Sequence, residues 1–220
     1  MFQFGRSASG TSGFARSMLE TLERRRLLSG NVTAVFDAGS NTVVVRGDNK
    51  ANDILIAPDL GTGYIIKGRN GTTINGAPSA DVGNGAINNF NIETGNGDDV
   101  VEFGEGFGGS TRYVVGNLDI GTGNGGDSVK LILRTTGNLD INTGNGGDDV
   151  SMKGSQVQGN LSIDTGNGAD SIAFGAHLFG EVFVDGTTSI DGGHGPDVLT
   201  GLAQLHTTGT QVIDDIESIS

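Results

Sequence analysis

From Asn89 onward the chain repeats one arrangement of apolar and polar positions. Short alternating runs, NFNIE, NLDIG, NLDIN, NLSID and, more loosely, TTSID, each lead into an acidic glycine turn, and each turn leads into a second apolar run. Alternation at a period of two sends Leu118, Leu139 and Leu161, with Ile92, Ile120, Ile141, Ile163 and Ile190, to one face and leaves Asp119, Asp140 and Ser162 on the other. The first set is core. After each turn, Val101, Val129, Val150, Ile172 and Leu199 form a second apolar column.

The turns are five copies of one nonapeptide: TGNGDDVVE from Thr94, TGNGGDSVK from Thr122, TGNGGDDVS from Thr143, TGNGADSIA from Thr165 and GGHGPDVLT from Gly192. Their starts lie 28, 21, 22 and 27 residues apart, so one unit takes 21 or 22 residues and two units carry insertions, placed at 104–110 and within 181–189. Self-similarity at this period marks a solenoid, in which each unit buries its apolar side against its neighbours. Two short strands and a tight turn per unit predict an all-β parallel β-helix.

The chain divides accordingly into a leader at 1–30, a β-rich cap at 31–82, the repeat core at 83–200 and a closing strand at 201–220. In the cap, Asn70-Gly71 between YIIKGR and TTING predicts a type I′ hairpin. DNKANDILI, residues 48–56, reads as a worn nonapeptide that keeps Asp53 and Leu55. A cap is needed because an open solenoid end exposes unpaired strand edges.

Composition adds constraints. With 40 glycines, no Cys and no Trp in 220 residues, stability must come from stacking rather than from disulfides. Five of the 13 basic residues and two of the 26 acidic ones fall within residues 1–30, a net of +3 that leaves −16 for the rest. Such a body repels phosphate backbones, which argues against nucleic acid and for divalent cations as partners. No run approaches the 18 or more apolar residues of a membrane span, so no transmembrane segment is expected.

Two resemblances follow from the motifs. Leu22-Glu23-Arg24-Arg25-Arg26-Leu27-Leu28-Ser29 resembles the LEPR-XLL segment of planctomycete surface and exported proteins, with Arg24 where that motif has proline. It implies an extracellular or cell-surface location, with extracellular polysaccharide or envelope components as partners. A solvated basic helix is the alternative. The nonapeptide resembles the GGxGxDxUx repeat of hemolysin-type (RTX) calcium-binding proteins. GGHGPDVLT meets that consensus at every fixed position, whereas the other four have Thr for the first Gly. The resemblance implies calcium as cofactor, with Asp99, Asp127, Asp148, Asp170 and Asp197 as carboxylate ligands. Main-chain oxygens around Gly95, Gly123, Gly144, Gly166 and Gly193 would assist them. Family repeats are tandem, with acidic loops on both sides of an 18-residue coil. Here each unit has one such loop.

Charge leads to the same expectation. Five aspartates stacked at about 4.8 Å repel by about 1 kcal/mol per neighbouring pair in water and about 3 kcal/mol at an effective dielectric near 20. A cation between loops removes that penalty, and calcium, which accepts six to eight oxygens, suits such turns best. The loops at 122, 143 and 165 are the best placed. Turn chemistry alone also yields TGNGxD, since Gly and Asn supply positive φ and Asp bonds its own backbone. The expected function is therefore a calcium-binding structural or adhesive surface protein and not an enzyme. A metal-independent adhesin and a β-helical polysaccharide lyase or hydrolase, using Arg112, Arg134, Lys130 or Lys153, are the alternatives. His177, His194 and His206 lack metal-ligand spacing, and Arg46-Gly47-Asp48 is read as a strand end.

Overall fold

The computed structural model describes residues 30–58, 63–82, 89–104, 113–114, 116–175 and 180–220. Among these the strands form three sheets, two of nine strands and one of five. The protein is all-β, with a single short 3-10 turn at Leu202–Gln204 among the described residues. From Asn89 the chain visits the three sheets in rotation. Asn89–Asn96 lies in the first, Val100–Phe103 in the second and Tyr113–Val114 in the third, and Leu118–Asn124 returns to the first. Each strand pairs in parallel with its equivalent one unit on.

Register follows the repeat without slippage. Leu118 pairs with Leu139 and Leu139 with Leu161, while Val129 pairs with Val150 and Val150 with Ile172. Every residue of the two expected apolar columns is buried, and Asp119 and Asp140 face solvent. A one-residue slip would turn these columns outward, so the buried face itself fixes the register.

Sequence had shown two strands per unit; the structure has three. The third is short: Arg134–Thr135, Gln156–Val157, Val182–Val184 and Leu205–Thr207. Strands of two or three residues give no visible alternation, which is why the pattern missed them. They are held by backbone pairing, as in Arg134 with Gln156 and Gln156 with Phe183. The final 20 residues likewise hold three strands, Leu205–Thr207, Gln211–Asp214 and Ser218–Ile219, one for each sheet. The closing segment is a further unit rather than one strand.

The insertions can be located from the strands around them. The first expected stretch, 104–110, lies almost wholly outside the described residues; the strands on either side end at Phe103 and begin at Tyr113. The second is displaced from its expected place. Strand Ser171–Phe174 ends eight positions before Val182, whereas Val184 to Thr188 keeps the same step as Val157 to Leu161. The extra residues therefore precede Val182.

At the amino-terminal end both large sheets change from parallel to antiparallel pairing. Asn31–Asp37 folds back on Thr42–Arg46, and Asp53–Pro58 on Tyr64–Gly68, which pairs with Ser79–Val82. Asn70 and Gly71 do take positive φ, 49° and 94°, and Thr72 N–H closes the turn onto the Arg69 carbonyl. The strands flanking that turn do not pair with each other, however. Thr73–Ile74 crosses to Asn31–Asp37 instead, because Ile74 is wholly buried there. Tyr64, Phe90 and Phe103 meet edge to face at 5.0–5.9 Å where cap and repeats join. No helix among the described residues is long and apolar enough to cross a membrane.

Ile141, fully buried between Ile120 and Ile163 in one column, tests the stack. Ile141→Ala should cost about 2–5 kcal/mol in denaturant unfolding, whereas Val212→Ala on the exposed strand Gln211–Asp214 should stay within about 0.5 kcal/mol.

Candidate functional site

The nonapeptide turns stack as closely as their strands. Gly123, Gly144 and Gly166 take φ of 99°, 92° and 85°. A Cβ on Gly144 would lie 2.1 Å from the Gly123 carbonyl oxygen, so backbone fills the space a side chain would need. That closeness lets backbone bonds run from unit to unit through the turn. The Gly123, Gly144 and Gly166 carbonyls accept N–H groups from Asn145, Asn167 and His194 at 2.7–2.8 Å.

Five aspartates form one buried file. Asp99, Asp127, Asp148, Asp170 and Asp197 are at most 2% exposed. In each neighbouring pair the backbone N–H of the earlier residue donates to Oδ1 of the later: Asp99 to Asp127, Asp127 to Asp148, Asp148 to Asp170 and Asp170 to Asp197, at 2.8–2.9 Å. The file ends on Glu217, whose carboxylate accepts Asp197 N–H at 2.6 Å. It begins one step before the first nonapeptide, where Asn52 N–H donates to Asp99 Oδ1 at 2.7 Å.

Asn52, not Asp53, is therefore the counterpart of the aspartates in the worn copy. Strand register makes the same assignment, pairing Asp53 with Val100 and Ile54 with Val101. Asp53 instead meets the Arg69 guanidinium at 2.8 Å, with Glu102 on its other side at 2.7 Å. Aligning by identity gave the wrong residue because the glycines that fix the turn are missing there.

The second carboxylate oxygen has no hydrogen-bond partner. Oδ2 of all five aspartates is buried and unbonded. The threonine that opens each turn lies against the carboxyl, yet its hydroxyl proton goes elsewhere. Thr94, Thr122, Thr143 and Thr165 donate to the carbonyls of Thr122, Thr143, Thr165 and Gly192 at 3.0–3.3 Å. Burial pushes the carboxyls of Asp99, Asp127, Asp148 and Asp170 above the usual range, against the lowering by their hydrogen bonds. Carboxylates nearby add to the rise: Asp48 acts on Asp99, Asp99 and Asp98 on Asp127, Asp127 on Asp148, and Asp148 and Asp197 on Asp170.

The structure thus gathers all five expected carboxylates into one buried file. Calcium takes six to eight oxygens. Here Oδ1 accepts a backbone N–H, three of the glycine carbonyls are in backbone bonds, and Oδ2 is unbonded. Threonine occupies the place where the RTX consensus has its first glycine. At the fifth turn, which has that glycine, the space is filled from elsewhere: a Cβ on Gly192 would meet the Asp215 carbonyl at 2.2 Å and Ile216 Cδ1 at 2.9 Å.

Two further files surround this one. The side-chain amides of Asn96, Asn124, Asn145 and Asn167 bond in series at 2.7–2.8 Å, each Nδ2 to the Oδ1 before it. Asn89, Asn117, Asn138 and Asn160 each accept the backbone N–H of the next unit at 2.9 Å. Sequence displayed both columns as recurrent asparagines, and stacking turns them into ladders. His194 ends the first column in an exposed turn. His206 stacks on Phe183 at 5.0 Å on the third sheet. His177 and Arg112 lie outside the described residues. Arg46 pairs with Glu93 at 2.9 Å and Asp48 accepts Asn31 N–H, so the Arg-Gly-Asp tripeptide is built into the cap. Comparison with protein-family models, with curated proteins and with solved structures found no match.

Thr143→Val should cost about 1–3 kcal/mol, because it removes the bond to the Thr165 carbonyl and leaves the Asp148 carboxyl beside a methyl group. Thr143→Ser, which keeps the hydroxyl, should recover most of that in the same denaturant titration.

Proposed function

We propose that this chain is an exported or cell-surface structural module: a parallel β-helix of 21 or 22 residues per coil that holds its shape without calcium. Its outer faces would be available to extracellular polysaccharide or envelope components. The observation that carries this reading is the unbroken register of equivalent positions through all three sheets, from Phe90 to Ile213 in the first. A rod built by repetition gives length and rigidity. The acidic body and the LEPR-XLL-like segment favour export.

Catalysis gains little support from the same geometry. A lyase needs acid and base around one substrate groove, whereas here the repeated aspartates are buried and Lys130 and Lys153 sit with Glu102 on the outer face of the second sheet. The outer acids, Asp119 and Asp140 beside Glu93 and Asn142, lie on the first sheet. Glu93 there is already paired with Arg46.

A calcium ion bound at a hundredfold excess over its dissociation constant would add about 2.7 kcal/mol of stability. Calorimetry in millimolar calcium and in chelator should give the same Tm, and a rise in calcium that chelator reverses would restore the calcium-binding reading. Incubation with pectin or alginate should leave the polymers intact; release of oligosaccharides would make the protein an enzyme. Antibody against residues 31–220 should label intact cells, and labelling only after lysis would sink the surface assignment.

A further inference from the structure

Two outer faces of the molecule carry charge that the chain itself leaves unpaired. On the second sheet, exposed Lys130 and Lys153 border a cavity of about 160 Å³ that Glu102, Ile132 and Ser151 also line. Among the described residues neither lysine forms an ion pair. Glu102, which faces Lys130 in register, is held by Arg69 at 2.7 Å, and Asp149 on the same face pairs with neither lysine. Ile132 beside them leaves an apolar side chain 41% exposed.

The first sheet has the opposite character. Its outward positions hold Asp119, Asp140, Asp164, Asp191 and Asp214, and none of these is in an ion pair among the described residues. Arg46, at the amino-terminal end of that face, is taken by Glu93. Burial and then the neighbouring Asp140 push the Asp119 carboxyl above its usual range, as expected where like charges stack on adjacent strands.

The repeat gives both faces one geometry. Asp140 pairs with Ser162, and Asp164 lies two residues beyond; Lys130 pairs with Ser151, and Lys153 lies two residues beyond. Each pair is therefore one strand across and two residues along, about 8 Å between Cα atoms. We propose that the lysine face of one copy of this chain docks on the aspartate face of another, with Lys130 and Lys153 meeting Asp140 and Asp164. A match at fixed spacing favours a rigid partner built on the same repeat over a flexible acidic polymer. The two patches lie on different sheets, so a copy that uses one keeps the other free, and association is open-ended.

Salt dependence follows from the charges. Each copy has a formal net charge of −13, so two copies repel at long range while their patches attract at contact. At about 0.15 M salt the Debye length is about 8 Å, which screens the bodies but spares ion pairs in contact; at about 1 M it is about 3 Å, and the pairs weaken too. Association is greatest between these extremes. An exposed ion pair alone adds little, so the contact depends on both pairs acting together. It depends neither on export nor on calcium, and its failure leaves the metal-free scaffold intact.

Sedimentation of the full chain across a salt series, in chelator, tests this. The weight-average mass should rise with protein concentration, reach about twofold or more over the monomer near 0.15 M salt and fall back near 1 M. Reversing one face, by Lys130→Glu with Lys153→Glu or by Asp140→Lys with Asp164→Lys, should leave each variant monomeric with its Tm little changed. An equimolar mixture of the two variants should associate again, because each then offers the face the other lacks. A monomer at every salt concentration would overturn the proposal, as would a mixture that stays monomeric or an association that appears only with calcium. A mass that keeps rising with salt would make the contact apolar and overturn it too. Binding of a polyuronate to the lysine face by a chain that stays monomeric would assign that face to polysaccharide instead. Should a reversal variant fail to fold, Lys130→Gln with Lys153→Gln and the wild-type salt profile decide.

Discussion

In-register parallel pairing sets like upon like. Once the backbone of one unit bonds to the next at about 4.8 Å, every side chain lies beside its own equivalent, and each column must be made of groups that tolerate their own kind. The constraint is severe. It decides which residues can repeat in this chain and where repetition has to stop.

Apolar columns satisfy it simply, since valine, leucine and isoleucine pack against themselves and exclude water. Asparagine satisfies it in another way, because an amide carries both donor and acceptor and so bonds its own copy in series, as Asn96, Asn124, Asn145 and Asn167 do. Threonine does so by bonding the next carbonyl. Aspartate alone does not, for an ionised carboxylate offers acceptors only and repels its copy. Its Oδ1 finds a backbone N–H, and its Oδ2 finds none.

Much of this was legible in the sequence. Both apolar columns, the all-β class and the five stacked turns followed from a period of two within strands and a period in the twenties between them. What escaped notice had no periodic signature of its own: the third strands of two or three residues, and the crossing of Thr73–Ile74 between sheets, which a hairpin signal at Asn70-Gly71 concealed. The aspartates were located correctly, but their environment was not. A sequence shows that carboxylates recur; it does not show that they point inward, which follows from Asp148 lying one place before an exposed Asp149 and two before the buried Val150.

The substitution of threonine for the first glycine of the RTX consensus then takes on a physical meaning. Threonine brings a hydroxyl into the same space and also ties that hydroxyl to the next unit. The turn thereby gains a bond along the stack. Four of the five turns carry that threonine, and the fifth, with Gly192, lies where Asp197 N–H passes to Glu217 instead of to a further aspartate.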